Sequence, residues 1–227
     1  MSGLVASRMI SEFLFAFGAL FAIINPYGLA FVFLDKTISL SEHERARVAL
    51  RVAIYAFSVL LVSLFIGSQI LNFFGISIPA LRIAGGLVVA VSGWSMLHAP
   101  PPSHEAHAIS TADFAAAQKM AFFPLTIPLT TGPGSIATAI AIGANRPSDL
   151  DDLFSSTIAW FVVAFAVTAT IYHAYKRSGA MARLFGEEGT SIVTRLSAFL
   201  LLCVGVQIII TGVVAVARSI PVTAAQL

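Results

Sequence analysis

Two stretches break otherwise apolar segments of membrane length: Asn25-Pro26-Tyr27-Gly28 and Pro128-Leu129-Thr130-Thr131-Gly132-Pro133-Gly134. Proline removes a backbone hydrogen-bond donor and glycine weakens a helix, so each stretch predicts a discontinuous helix. In lipid, irregular backbone survives only where protein or a water-filled cavity covers its freed polar groups. One break lies in each half of the chain. Two breaks in corresponding places predict a solute site within the bilayer.

The composition indicates an integral membrane protein. The chain is 58% hydrophobic and 11% charged, whereas soluble domains are about 25% charged. A spanning helix needs about 20 mainly apolar residues. Six stretches meet this requirement, at residues 10–34, 48–71, 78–97, 120–143, 153–175 and 192–216. They leave no room for a soluble catalytic domain, so we predict one all-α membrane domain with six transmembrane helices.

The distribution of basic residues predicts the orientation in the membrane. Nine Lys and Arg lie in the first, third and fifth loops, and four lie in the other loops and the termini. Cytoplasmic loops carry the excess of Lys and Arg, so both termini are expected on the non-cytoplasmic side. Because these residues flank the spans, the pI of about 8.9 gives no reason to expect a nucleic-acid partner.

The two halves share an order of landmarks. Each has a broken span, an uninterrupted span, a Phe-Gly turn at Phe74-Gly75 or Phe185-Gly186, and a span beginning near Arg82 or Arg195. Three spans per unit force the two units into opposite orientations, as in many secondary transporters. We therefore predict a 3+3 inverted repeat: residues 1–97 form the first repeat, 98–118 a linker, and 119–227 the second repeat.

The linker offers a weak set of metal ligands. It holds His98, His104 and His107 with Glu105, but neither cysteine nor rigid helical spacing supports them as a metal site. We therefore expect no metal and no other cofactor. Ser41-Glu42-His43-Glu44, by contrast, has the pattern of a capping box that starts the second span.

The two breaks contain residue types that start helices and could form a binding site. Asn is a leading N-cap residue and Pro is favoured at the first helical position. Asn25-Pro26 therefore starts one half-helix, and Thr131 or Gly132 followed by Pro133 starts another. A helix N-terminus offers free N–H donors and partial positive charge, which suit a carboxylate. The candidate substrate-binding residues are Asn25, Pro26, Gly28, Thr130, Thr131, Gly132, Pro133, Gly134 and Ser135.

Four further residues are candidates for a gate or cavity wall: Tyr27, Arg82, Arg195 and Gln207. The two arginines begin repeat-related spans, although an arginine there is usually a snorkelling flank residue. Gln207 lies deep in the sixth span and is equally suited to bonding between helices. Packing kinks remain the alternative interpretation of each break taken alone.

Acidic residues limit the possible mechanisms. Glu12 and Asp35 lie near the ends of the first span and none lies at the centre of a span, so the usual proton-relay carboxylate is missing. The coupling ion, sodium or proton, stays open. The spans also lack a Ser-Lys, paired-Asp or His-Glu-x-x-His arrangement, so we do not expect an enzyme.

Three blocks of sequence resemble the MarC family of bacterial and archaeal inner-membrane proteins. They are Asn25-Pro26-Tyr27-Gly28, Phe74-Gly75-Ile76-Ser77 leading into Leu81-Arg82-Ile83-Ala84-Gly85-Gly86, and the stretch from Ile127 to Ile136. The resemblance covers nearly the whole chain. It implies six spans in the cytoplasmic membrane and, from members classed as neutral amino acid transporters, substrates such as glycine or alanine.

The sequence therefore favours a secondary transporter of small neutral amino acids or similar zwitterions, working by alternating access. A broader metabolite or drug exporter is the same-class alternative, and a channel or a non-transporting membrane scaffold is the other. Saturable, stereospecific uptake separates a carrier from the last two. Substrate identity, direction of transport and oligomeric state are left open.

Overall fold

The computed structural model describes residues 2–98, 111–144 and 150–219, and within these ranges it is all-helical with no strand. The described helices are α1 Ser2–Ile24, α2 Pro26–Lys36, α3 Glu42–Phe65, α4 Gly67–Phe73, α5 Ile78–Leu97, α6 Thr111–Met120, α7 Pro133–Ala144, α8 Leu150–Lys176 and α9 Ser178–Ser219. An irregular segment, Ala121–Thr130, joins α6 to α7.

Five helical stretches of the described chain are long and apolar enough to cross a membrane: Met9–Lys36, Glu42–Phe65, Ile78–Leu97, Ser155–Lys176 and Glu188–Arg218. The bent pair Ala117–Thr130 and Pro133–Ala144, which turns through 70°, makes a sixth if it is one span. Each of the six predicted stretches overlaps one of these. The prediction of an all-helical, multi-span membrane protein is confirmed.

The second span differs from its predicted bounds of 48–71. It starts earlier because Ser41 and Glu44 form the expected capping box, in which the backbone N–H of each donates to the side-chain oxygen of the other at 3.0–3.3 Å. It ends earlier because the helix breaks at Ile66. A Cβ on Gly67 would lie 2.3 Å from Ile140 Cγ1, so close packing against α7 accompanies this break.

The core lies where α2, α3 and α8 meet, with α1 and the irregular segment around it. Side chains such as Phe33, Leu60 and Val163 are fully buried there. The apolar span of α9 is different, since only 11% of it is buried within the chain. A long apolar helix that stays uncovered by protein is suited to contact with lipid.

Both predicted Phe-Gly turns contain a glycine in the left-handed region, Gly75 at φ 67° and Gly186 at φ 70°. These glycines are 111 positions apart. The breaks that precede them, at Ile66 and Arg177, have the same spacing, and in each the N–H donates to the carbonyl four residues earlier, at 2.9 and 3.2 Å. The two halves thus share local backbone geometry as well as sequence landmarks.

Helices α5 and α9 pack with their backbones in near contact. An added Cβ on Gly93 would lie 2.5 Å from the Leu202 nitrogen, and one on Gly205 would lie 2.4 Å from the Ala90 nitrogen. No side chain fits between the helices at these points. The glycines of the third span therefore serve helix packing, as small residues commonly do in membranes.

The predicted linker, 98–118, is partly helical, because α6 begins at Thr111. Residues 99–110, which include His104, Glu105 and His107, lie outside the described residues. The described part of the chain contains no cluster of three or more His, Cys, Asp or Glu placed to hold a metal. The division into two repeats and a linker stays a prediction at these boundaries.

Candidate solute-binding site

The first break is a capped helix start at Asn25. This residue adopts left-handed backbone angles, φ 46° and ψ 60°, and α2 begins at Pro26. The Asn25 side-chain oxygen accepts the Gly28 N–H at 3.3 Å, and its carbonyl accepts the Leu29 N–H at 3.0 Å. Asn is one of the few residues that tolerates the left-handed region, so one residue supplies both the break and the cap.

Gly28 completes this arrangement because it leaves room for the cap. A Cβ at Gly28 would lie 2.4 Å from Asn25 Nδ2 and 2.9 Å from its Cγ. Any side chain there would push the Asn25 amide out of place. The spacing Asn-Pro-x-Gly therefore follows from one local structure.

The second break is longer than the sequence predicted. Phe123 and Ile127 have extended backbone angles within the irregular segment, so the helix is already interrupted five residues before Pro128. Pro124, which the sequence interpretation did not use, accompanies this earlier interruption. The hydroxyls of Thr126 and Thr130 donate to carbonyls five residues earlier at 2.6 Å, which satisfies part of the backbone that the break sets free.

Helix α7 begins at Pro133, the position that the sequence predicted. The Gly132 carbonyl accepts the Ile136 N–H at 3.0 Å and the Ser135 hydroxyl at 2.9 Å. The Thr131 hydroxyl and N–H both donate to Thr126 O, at 3.2 and 2.8 Å. The polar side chains of this break thus donate within the protein, which leaves the first-turn N–H groups of α7 as its donors for a solute.

The two breaks lie close together in the fold. The Cβ position of Gly134, in the first turn of α7, is 3.6 Å from Ile23 Cγ2, two residues before Asn25. Helices α5 and α9 close around the same turn, since a Cβ on Gly85 would lie 2.3 Å from Pro133 Cβ and one on Gly134 would lie 2.3 Å from Ile208 Cδ1. Residues of α1, α5 and α9 therefore pack against the first turn of α7.

A buried aromatic pair connects the second break to α2. The Tyr175 hydroxyl of α8 lies 2.8 Å from Thr130 Oγ1, and its ring stacks on Phe33 with centroids 4.4 Å apart. Both rings are fully buried. Sequence reasoning missed this pair because nothing local marks a tyrosine near the end of a span as a partner of a threonine 45 positions away.

A cleft of about 340 Å³ lies beside this region, between α1, α5, α7 and α8. Its polar lining comes from Glu12, Arg82, Thr138 and Ser156, and its aromatic lining includes Phe15 and Trp160. The Ser156 hydroxyl donates to Glu12 Oε2 at 2.9 Å. The structure thus places Arg82 on a cavity wall and adds Glu12, which sequence reasoning set aside as a residue near a helix end.

The remaining gate candidates lie elsewhere. Tyr27 is 43% exposed, with its ring 6.4 Å from that of Phe21. Arg195 and Gln207 on α9 are also exposed. The structure does not bring these three side chains to the cleft or to the start of α7, so their role as gate residues stays a prediction.

Comparison with known proteins decides the family. The model of the MarC family of integral membrane proteins matches residues 10–217. The chain belongs to the MarC family. It is 34% identical to the inner membrane protein MarC of Citrobacter koseri over 200 residues, which cover 86% of this chain and 90% of that protein. The MarC proteins of Salmonella arizonae and Escherichia coli O1:K1 are each 35% identical over 201 residues, with the same coverage.

Membership of the MarC family agrees with the observed fold. The relatives are inner membrane proteins by name, and the described chain has several apolar helices of spanning length. The predicted location, a multi-pass protein of the bacterial inner membrane, is confirmed. No solved structure matches this MarC-family chain.

Proposed function

We propose that this protein is a secondary transporter that moves a small neutral amino acid, or a similar zwitterion, across the inner membrane by alternating access. The observation that carries the proposal is the meeting of two broken helices in the interior of the helical domain. One break starts α2 at Pro26 and the other starts α7 at Pro133. Discontinuous helices that meet in this way commonly form the solute sites of secondary transporters.

The chemistry of the breaks suits a carboxylate. The start of α7 provides N–H donors and about half a positive charge, and these attract an anion without the cost of burying a lysine. The surroundings of this helix start leave little space, because an added Cβ at Gly85 or Gly134 would lie only 2.3 Å from a neighbouring side-chain atom. A small solute such as glycine or alanine therefore fits this site better than a bulky one.

The proposed alternating access requires the 3+3 inverted repeat. Two reciprocal contacts between α5 and α9 support it: Gly93 against Leu202, and Gly205 against Ala90. A shift of 112 positions exchanges the two contacts, which is the pattern that a two-fold axis produces. In these contacts the residue number rises along α5 as it falls along α9, so the two helices run antiparallel. The two-fold axis that relates them is therefore perpendicular to the helices and not parallel to them. That orientation is the one expected for units inserted in opposite senses.

A thermal-shift screen of the purified protein in detergent tests the proposed substrate class. A ligand that binds only the folded protein raises its melting temperature by mass action. We expect stabilisation by glycine, alanine or serine, and loss of that stabilisation in Asn25→Ala. Stabilisation only by bulky apolar compounds would instead indicate a drug or metabolite exporter and contradict the amino acid assignment.

A further inference from the structure

A buried arginine lies where the first and fifth predicted loops meet. Arg45, near the start of α3, is 7% exposed. Its Nη2 donates to Thr37 O at 3.2 Å and to Leu40 O at 2.8 Å. Within the described chain its hydrogen bonds go to these neutral carbonyls and to no carboxylate. Because a buried charge is costly unless it is paired, this guanidinium favours an anion beside it.

The remaining donors of Arg45 lie against the start of α9. Its Nε is buried and has no hydrogen-bond partner among the described residues, and its Nη1 lies 3.0 Å from the Cβ position of Gly179. Ser178, one residue earlier, is 1% exposed and its hydroxyl also lacks a partner there. Buried polar groups are nearly always hydrogen-bonded, so two unpartnered groups beside one helical turn indicate a ligand-binding site.

The start of α9 adds donors of its own. Arg177 separates α8 from α9: its N–H donates to His173 O at 3.2 Å, and its carbonyl accepts the Met181 N–H at 2.9 Å. The N–H groups of residues 178–180 therefore lie in the first turn of α9, where a helix offers donors and partial positive charge. Helical backbone angles continue through residues 178–185, so this turn belongs to a helical segment of more than two turns.

Arg183 brings a second guanidinium to the same point. Its Nη1 lies 3.9 Å from the Cβ position of Gly179, and so does Oε1 of Glu42, to which it is bonded. Nitrogen atoms of Arg45 and Arg183 thus lie within 4 Å of one point on α9. The Glu42 carboxylate balances one of the two positive charges. The other charge and the helix start remain, and together they match a monoanion.

We propose that this cluster, here called the Gly179 site and formed by Arg45, Arg183 and the first turn of α9, binds a phosphate group. The phosphate belongs either to the headgroup of an anionic phospholipid or to a soluble phosphate compound. The fork of donors on arginine and the N–H groups of a helix start both bind phosphate oxygens. The assignment goes beyond the proposed transport function and does not depend on it.

The surroundings of the Gly179 site match a lipid headgroup. At the far end of the same helical segment, Leu184 is 84% exposed and Phe185 is 50% exposed, with the Phe185 ring edge-on to Phe31 of α2. Exposed apolar residues beside basic ones are typical of a helix at the membrane surface. The bond between Arg183 and Glu42 joins two loops expected on the cytoplasmic side, where basic clusters between helices bind anionic headgroups.

Native mass spectrometry of the full chain in detergent measures the lipids that the protein retains. Dioleoylphosphatidylglycerol should bind saturably and at least about tenfold more tightly than dioleoylglycerol, since a charged hydrogen bond has that strength. The two lipids share their acyl chains, and only the first has a phosphate. The comparison therefore isolates the contribution of the phosphate group from that of the apolar surface.

Inorganic phosphate, added alone, identifies the source of the phosphate group. A soluble ligand predicts that phosphate raises the melting temperature of the parent protein, by mass action, and not that of Arg45→Gln. A lipid headgroup predicts no such rise together with selective retention of phosphatidylglycerol. Either result supports the Gly179 site.

Substitutions test the site itself. Arg45→Gln should weaken phosphatidylglycerol binding at least about tenfold. Gly179→Ala should weaken it as well, because its Cβ would lie 3.0 Å from Arg45 Nη1, while alanine favours the helix. Two controls should bind like the parent: Gly18→Ala, whose Cβ meets nothing within 4 Å, and Arg51→Gln, which alters an exposed arginine of α3.

Equal retention of the two lipids with no stabilisation by phosphate would overturn the assignment. Phosphatidylglycerol binding that survives both Arg45→Gln and Gly179→Ala would overturn it too. Melting temperatures without added lipid check the folding of each variant. Arg45 also holds two loop carbonyls, so Gly179→Ala and the lipid comparison in the parent decide the question if Arg45→Gln does not fold.

Discussion

At the scale of single residues, the first break depends on one side chain and the space that a neighbouring glycine leaves for it. Asn25 has φ 46° and its side chain caps α2 through Gly28. A left-handed backbone costs most L-residues about 1–2 kcal/mol. A lost N-cap costs about 1 kcal/mol. These two contributions can be separated by substitution.

Asn25→Gly removes the cap but keeps the left-handed conformation free of strain, whereas Asn25→Ala removes the cap and adds the strain. We therefore expect Asn25→Gly to cost a few tenths of a kcal/mol in unfolding free energy and Asn25→Ala about 2 kcal/mol. Thermal or denaturant unfolding in detergent measures both. Equal losses in the two variants would show that the left-handed backbone is not maintained at this position.

The Tyr175 hydroxyl provides a second test at this scale. Tyr175→Phe removes its bond to Thr130 while the ring can still stack on Phe33. We expect a loss of about 1 kcal/mol of unfolding free energy, the usual contribution of one buried hydrogen bond. A double-mutant cycle with Thr130→Val should give a coupling energy of similar size. Additive effects would contradict a direct bond.

The sequence predicted the roles of residues that have a local signature, but it did not predict contacts between residues far apart in the chain. Asn25 and Pro133 start helices as predicted, because caps and prolines act within a few residues. The bond between Ser156 and Glu12 joins residues 144 positions apart. Only the packing of α1 on α8 creates it, so no local pattern could have identified the cleft.

At the scale of helices, the contact between α5 and α9 carries the most specific expectation. The Cβ positions of Gly93 and Gly205 lie within about 2.5 Å of backbone nitrogen atoms on the opposing helix, and backbone cannot give way as a flexible side chain can. Gly93→Ala and Gly205→Ala should each lower the unfolding free energy by about 1–3 kcal/mol, as overpacking does.

Gly18→Ala is the matched control for these variants. It also replaces a helical glycine, but a Cβ there has nothing within 4 Å, so it should leave stability unchanged or raise it by up to about 1 kcal/mol. Unfolding in detergent compares the three variants. Similar losses at Gly93 and Gly205 are expected from the reciprocal contacts, and a loss at only one of them would count against the two-fold relation.

The helical elements were largely predictable because long apolar stretches and their caps are local properties. Ile78–Leu97 has the predicted bounds, and the other spans overlap theirs. The breaks at Ile66 and Phe123 were not predicted. The break at Ile66 is accompanied by close packing of Gly67 against α7, which has no local sequence pattern. Phe123 directly precedes Pro124, and a residue before proline favours extended angles, so that break had a local signal that the sequence interpretation did not use.

At the scale of the whole molecule, charge distribution fixes the expected orientation. In a Cys203→Ser background, Ile76→Cys should react with a membrane-impermeant maleimide in intact cells, because its turn is expected outside. His43→Cys, in the first turn of α3 on the side expected inside, should react only after permeabilisation. Both side chains are exposed, so accessibility within the protein does not limit labelling. The reverse pattern would place the Gly179 site on the non-cytoplasmic side.

The central claim is that the paired helix breaks form the solute site of a carrier. Counterflow of radiolabelled L-alanine in proteoliposomes preloaded with unlabelled alanine tests it most directly, since channels and scaffolds give no saturable exchange. The parent and Gly18→Ala should exchange alanine saturably, while Asn25→Ala and Gly132→Leu, with membrane insertion intact, should lose at least about tenfold in initial rate. Exchange at the parental rate in both break variants, or its absence in the parent, would contradict the account.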